Sequence, residues 1–105
     1  MHGAAVPDQV VEELAALAGN GGLVLELVDR GPRPGRRARF YALHLQPALW
    51  GGVDVVRAWG RLGHRHRPRC LVTSHPDETG AHAALRDLVR RRLRRGYYRS
   101  PDRVP

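Results

Sequence analysis

A chain of 105 residues and 11.7 kDa has room for one small domain, and 42% apolar with 27% charged residues is ordinary globular composition. No window approaches the roughly 20 apolar residues that cross a bilayer, and residues 1–22 lack the basic start and apolar block of an export signal. Cys70 is the only cysteine, which excludes an internal disulfide, and a zinc site would need three further ligands, so the expectation is a cytoplasmic protein with no cofactor.

The formal net charge is +8, and all 18 basic residues are arginine. Residues 1–29 hold five carboxylates and no arginine, whereas residues 30–105 hold all 18 arginines against five carboxylates. So strong an imbalance points to a polyanionic partner, with nucleic acid the first candidate.

Pro7 and Asp8 open a helical pattern in which Val10, Val11, Leu14, Leu17 and Ala18 recur at helical spacing. Gly19-Asn20-Gly21-Gly22 stops it. Residues 23–29 alternate, with Leu23, Leu25 and Leu27 expected inward and Val24, Glu26 and Val28 outward. A Gly/Pro loop at residues 31–35 leads to a second strand at 40–46, with Tyr41, Leu43 and Leu45 on one face. In the third strand, residues 53–61, period 2 sends Val53, Val55, Arg57, Trp59 and Arg61 to one face. A basic loop at 62–68 and a short fourth strand at 69–73 follow. From Asp77 to Arg95 the spacing turns helical: Ala81, Leu85, Leu88, Val89 and Leu93 form a stripe, Asp77 is the expected N-cap and Gly96 the C-terminal stop. Short links between strands favour antiparallel hairpins, so the expected fold class is α+β: a twisted antiparallel sheet of about four strands, a long C-terminal helix on one face and a short N-terminal helix. The expected organisation is a helical leader at 1–22, a domain at 23–98 and a tail at 99–105.

Phe40-Tyr41 with alternating leucines, Gln46-Pro47-Ala48-Leu49-Trp50-Gly51-Gly52, Arg57-Ala58-Trp59-Gly60-Arg61-Leu62-Gly63 and the basic helix ending Leu93-Arg94-Arg95-Gly96-Tyr97 follow one another in an order and spacing that resembles the WGR domain. Short stand-alone bacterial members are the most similar. The resemblance implies a twisted antiparallel sheet with one packed helix. It also implies DNA binding of the kind the module performs near strand breaks in poly(ADP-ribose) polymerases, where it contacts neighbouring domains as well. Trp59 and Arg61 carry over onto that working surface, and Arg92 stands near the helix end where the family usually keeps a lysine.

On the residues themselves, Arg57, Trp59 and Arg61 share a strand face on which guanidinium groups meet phosphates while the indole packs on a sugar or base; the alternative is a half-buried structural Trp59. Gly60 allows close backbone or ligand approach. Arg65 and Arg67 add charge in the following loop. Arg86, Arg90 and Arg94 share a helix face, with Arg91 and Arg95 on the far side of the stripe. Arg92 falls inside the apolar stripe, so its head group either snorkels out or meets an anion. Arg30, Arg33, Arg36, Arg37 and Arg39 either clamp a backbone or form a soluble tip. His64, His66 and Cys70 have ligand chemistry but sit in a cationic segment that repels a divalent ion, and no nucleophile has a recognisable catalytic partner. The acidic leader, through Asp8, Glu12 and Glu13, either competes with phosphate for the arginines or only completes the core. The expected function is a non-enzymatic nucleic-acid-binding module, with DNA and its ends or breaks as targets and no metal or membrane. The alternative is a protein-interaction adaptor using the same Trp/Arg surface.

Overall fold

The computed structural model describes residues 5–27, 38–62 and 68–99. The end of the first expected strand, the loop arginines Arg30, Arg33, Arg36 and Arg37, the segment 63–67 with His64, Arg65, His66 and Arg67, and the tail from residue 100 lie outside the described residues.

Helix α1 spans Asp8–Gly19 and starts on Pro7, whose carbonyl accepts the Val11 N–H at 3.2 Å. The ring of Pro7 holds φ at −63° and has no amide hydrogen to leave unsatisfied. The face that α1 buries carries Val11, Leu14, Ala15 and Ala18. This corrects the expected stripe: Val10 and Leu17 are exposed, and Ala15 lies inside instead. Positions 11, 14, 15 and 18 form a narrow band, and its two alanines leave room for a second helix to approach.

The four strands are β1 (Leu23–Leu27), β2 (Arg39–Pro47), β3 (Val53–Arg61) and β4 (Arg69–His75), an antiparallel meander in the order β1-β2-β3-β4. Tyr41 lies opposite Leu25 on one side and Trp59 on the other; Leu43 lies opposite Leu23 and Arg57. Because side chains alternate with period 2, this register sets Leu23, Leu25, Tyr41, Leu43 and Val55 on one face, and all five are buried. Arg57, Trp59 and Arg61 therefore emerge on the face that also builds the core. β4 runs two residues beyond the expected end, to His75.

Glu26, expected outward, is only 6% exposed. The chain returning after the last helix explains it, since Tyr98 exchanges both backbone hydrogen bonds with Glu26, at 2.8 and 2.9 Å, and so lies along β1.

Helix α2 spans Glu78–Arg94, and the Asp77 carboxylate accepts the Gly80 N–H at 2.9 Å, as an N-cap should. At its far end Gly96 has φ +96°, the Gly96 N–H donates to Leu93 and the Tyr97 N–H to the Arg92 carbonyl, each at 3.0 Å. This is the Schellman closure. It folds Tyr97 back into the core, where its ring meets Tyr41 edge-on at 6.2 Å. Ala81, Leu85 and Val89 of α2 are fully buried, with Leu88 and Leu93 at the margin of the core. α1 covers β1 and β2, α2 covers β3 and part of β4, and the helices pack on each other.

Candidate nucleic-acid interface

At the end of the sheet where β2 begins and β3 ends, the C-terminal turn of α2 overhangs the strands and leaves a groove of about 570 Å³. Its cationic lining is Arg39, Arg61, Arg69, Arg92 and Arg95, arranged around Trp59. The register accounts for the convergence: Arg39 is opposite Arg61, and Trp59 is flanked by Tyr41 on β2 and Arg69 on β4. Phe40, Gly60 and Tyr97 complete the wall, and among the described residues no carboxylate contributes to it. Among the described residues the ion pairs are Arg86 with Glu12 at 3.4 Å, Arg90 with Asp8 at 3.4 Å and Arg91 with Asp87 at 2.8 Å. None of the groove arginines takes part. Unpaired guanidinium groups held close together repel one another, and an oxyanion entering between them relieves that repulsion and receives charge-assisted hydrogen bonds.

Arg92 is the best-held of the five. Its guanidinium carbon lies 4.0 Å above the Tyr41 ring and 5.6 Å from the Tyr97 ring. The position inside the apolar stripe is thus resolved by a cation–π contact: the guanidinium lies over aromatic carbon while the residue also lines the groove. A cation immobilised before the ligand arrives loses less rotamer freedom on binding. Arg57 sits at the border of the site. Its guanidinium carbon is 5.9 Å from the Trp59 ring centroid, but it lines an adjoining cleft with Thr73, Leu88 and Arg91. Gly60 lines the groove, and a β-carbon there would come within 3.2 Å of the Phe40 ring. Its missing side chain is therefore taken up by its cross-strand neighbour Phe40.

The structure thus brings together five of the expected residues, Trp59, Gly60, Arg61, Arg92 and Arg95, with Arg57 alongside. Arg65 and Arg67 lie outside the described residues. Arg39, expected with the first loop, and Arg69, expected only to open the fourth strand, join the groove; their signal in the sequence is their position at strand ends, which the hairpin register brings next to Arg61 and Trp59. Among the remaining helix arginines, Arg86 and Arg90 are engaged with α1, which divides the basic face of α2 into a part facing the leader and a part facing the groove. Cys70 is exposed on β4, and the described residues contain no group of three potential metal ligands. No helix among them is long and apolar enough to cross a membrane.

A four-stranded antiparallel meander with a helix closing over one end, and an aromatic at that end ringed by arginines that form no ion pair among the described residues, defines a small α+β module suited to polyanion binding. The chain belongs to the WGR domain family, whose model matches residues 22–104. It is also similar to an uncharacterized protein of Sinorhizobium fredii, 34% identical over 65 residues, a match that takes in 62% of this chain. The chain spans 31% of the length of that relative. No solved structure matches it. Membership of this family is consistent with a nucleic-acid-binding module in general.

Proposed function

We propose that the protein is a non-enzymatic module that binds nucleic acid, with DNA and its strand ends or breaks as the target, and that Trp59 and the surrounding arginines form the contact surface. The observation that carries this reading is the groove itself: five arginines around Trp59 that form no ion pair among the described residues, in a wall to which no described carboxylate contributes. Phosphates enter between the guanidinium groups, and the indole packs on an adjacent sugar or an unstacked base. The groove is built from strand residues and the last turn of α2, so affinity rests on backbone charge and varies little with base sequence. A strand end fits better than an uninterrupted duplex, because the groove is concave and closed on one side by the last turn of α2.

The test is fluorescence anisotropy with intact, nicked, blunt-ended and single-stranded probes, with and without a 5′-phosphate, each across a salt series. The reading expects binding that weakens log-linearly with salt and favours nicked or ended probes. A salt-insensitive response, or none, refutes it in favour of a protein adaptor using the same Trp59 surface, for which an aromatic-centred interface would carry the affinity.

A further inference from the structure

The two edges of the sheet are finished differently. The outer edge of β1 is taken up at Glu26 by both backbone hydrogen bonds to Tyr98. β4 forms the opposite edge, and among the described residues no strand pairs with its outer side. Every residue from Arg69 to Ser74 is exposed, with Leu71 at 44% and Val72 at 50%. An open strand edge is a template for another strand, and proteins that keep such edges unpaired protect them with charges, proline or a bulge. β4 carries none of these between Cys70 and Ser74: the run is Cys-Leu-Val-Thr-Ser, and its pairing with β3 is continuous from Arg69 to His75.

We infer that β4 is a self-association edge, on which a second copy of this chain pairs antiparallel about Val72 to continue the sheet across two protomers. The choice of a second copy rests on how β4 matches itself. Pairing about Val72 sets Val72 against its own equivalent, Leu71 against the partner's Thr73, and Cys70 against the partner's Ser74. These are favourable cross-strand neighbours, and the pairing opposes no two arginines. At the ends this register sets Arg69 against the partner's His75, with the exposed acids Asp77 and Glu78 two and three positions further along that chain, so the arginine that starts each strand lies diagonally from the acids that follow the other. A two-fold axis through this pairing stands perpendicular to the sheet, which places both helix layers, and both arginine grooves, on the same side. At about 3.3 Å per residue and 4.8 Å between strands, the two Trp59 positions lie roughly 25 Å apart. The self-association does not depend on the nucleic-acid reading and is tested without nucleic acid.

The experiment is sedimentation equilibrium of the full chain at moderate salt, where repulsion between copies of net charge +8 is screened. The wild type is expected to approach twice the 11.7 kDa chain mass as concentration rises. Val72→Lys, which sets two cations face to face on the two-fold axis, is expected to hold the single-chain mass with an unchanged circular dichroism spectrum. Register is read separately. Ser74→Cys sets a new thiol opposite the partner's Cys70, so mild oxidation should give a disulfide-linked dimer, whereas Cys70→Ser/Ser74→Cys, with one thiol facing a serine, should not. Within one strand the two thiols are four residues apart and out of bonding reach. A wild type that stays monomeric to millimolar concentration, a Val72→Lys variant that still dimerises, or equal cross-linking by both cysteine variants would overturn the inference.

Discussion

Arg92 lies over Tyr41, its guanidinium carbon 4.0 Å from the ring centroid, and Tyr97 meets the same tyrosine from the side. The α2 C-terminal closure at Gly96 and the β2 register produce this stack jointly, so a core tyrosine holds a groove cation in place. Arg92→Lys keeps the charge but loses the planar face. It should weaken probe binding by about 1 kcal/mol, with a salt slope close to that of the wild type. Arg92→Ala should lose the same contact and also lower the magnitude of the slope by about one unit. Anisotropy titrations of both variants check the difference.

The groove sets the overall salt response. With about five arginines on phosphates, the log–log slope should lie near −4 to −5. Arg61→Ala and Arg69→Ala should each reduce its magnitude by about one unit, whereas Arg57→Ala, at the border of the site, should have a smaller effect.

Trp59→Ala should differ in kind from the arginine variants. If the indole packs on the nucleic acid, affinity falls by about 1–3 kcal/mol with little change of slope. Circular dichroism is the control, because Trp59 also packs against the edge of the core; loss of the folded spectrum would mark it as a structural residue.

The acidic leader is tested by charge and not by deletion. Val11, Leu14, Ala15 and Ala18 of α1 are part of the core, and burying a Val or Leu side chain stabilises by about 1.5–3 kcal/mol. The two exposed ion pairs that tie α1 to α2 contribute at most about 1 kcal/mol each. Removing residues 1–21 should therefore unfold or strongly destabilise the protein. Asp8→Asn/Glu12→Gln should leave it folded and free Arg90 and Arg86, tightening low-salt binding modestly, with a gain that fades as screening shortens the reach of these charges to about 10 Å at 0.1 M. An unchanged low-salt affinity would restrict the acids to a packing role.

Two backbone and core sites report on the fold alone. Gly52 has φ +87°, and a β-carbon there would collide with the His75 carbonyl oxygen and come within 3.3 Å of that of Pro76. Gly52→Ala should cost at least about 2 kcal/mol in thermal or urea unfolding. The Tyr41 hydroxyl is buried without a hydrogen-bond partner among the described residues. Tyr41→Phe keeps the ring under Arg92 and should leave stability unchanged or raise it by about 1 kcal/mol, because an unsatisfied buried hydroxyl is removed.

Much of the fold followed from spacing alone. Period 2 in β2 and β3 and the helical stripe of α2 are properties of local geometry, and Asp77 and Gly96 punctuate α2 where their chemistry requires. Trp59, Arg61 and Arg92 were legible as a site because the signature lies on one strand face and because an arginine inside an apolar stripe must find a partner. What local spacing does not contain is which surface each face meets. The β3 face that carries the signature proved to be the face under the helices. The partner of Arg92 is Tyr41, about fifty positions away, and Arg39 and Arg69 join the groove only because hairpin register sets them beside Arg61 and Trp59. Glu26 is buried because the chain returns along β1, and the arginines of α2 divide between α1 and the groove because the two helices pack together. Each of these is a long-range contact between segments whose own sequences are indifferent to it, so the composition set the charge and the tertiary structure decided which arginines remain unpaired.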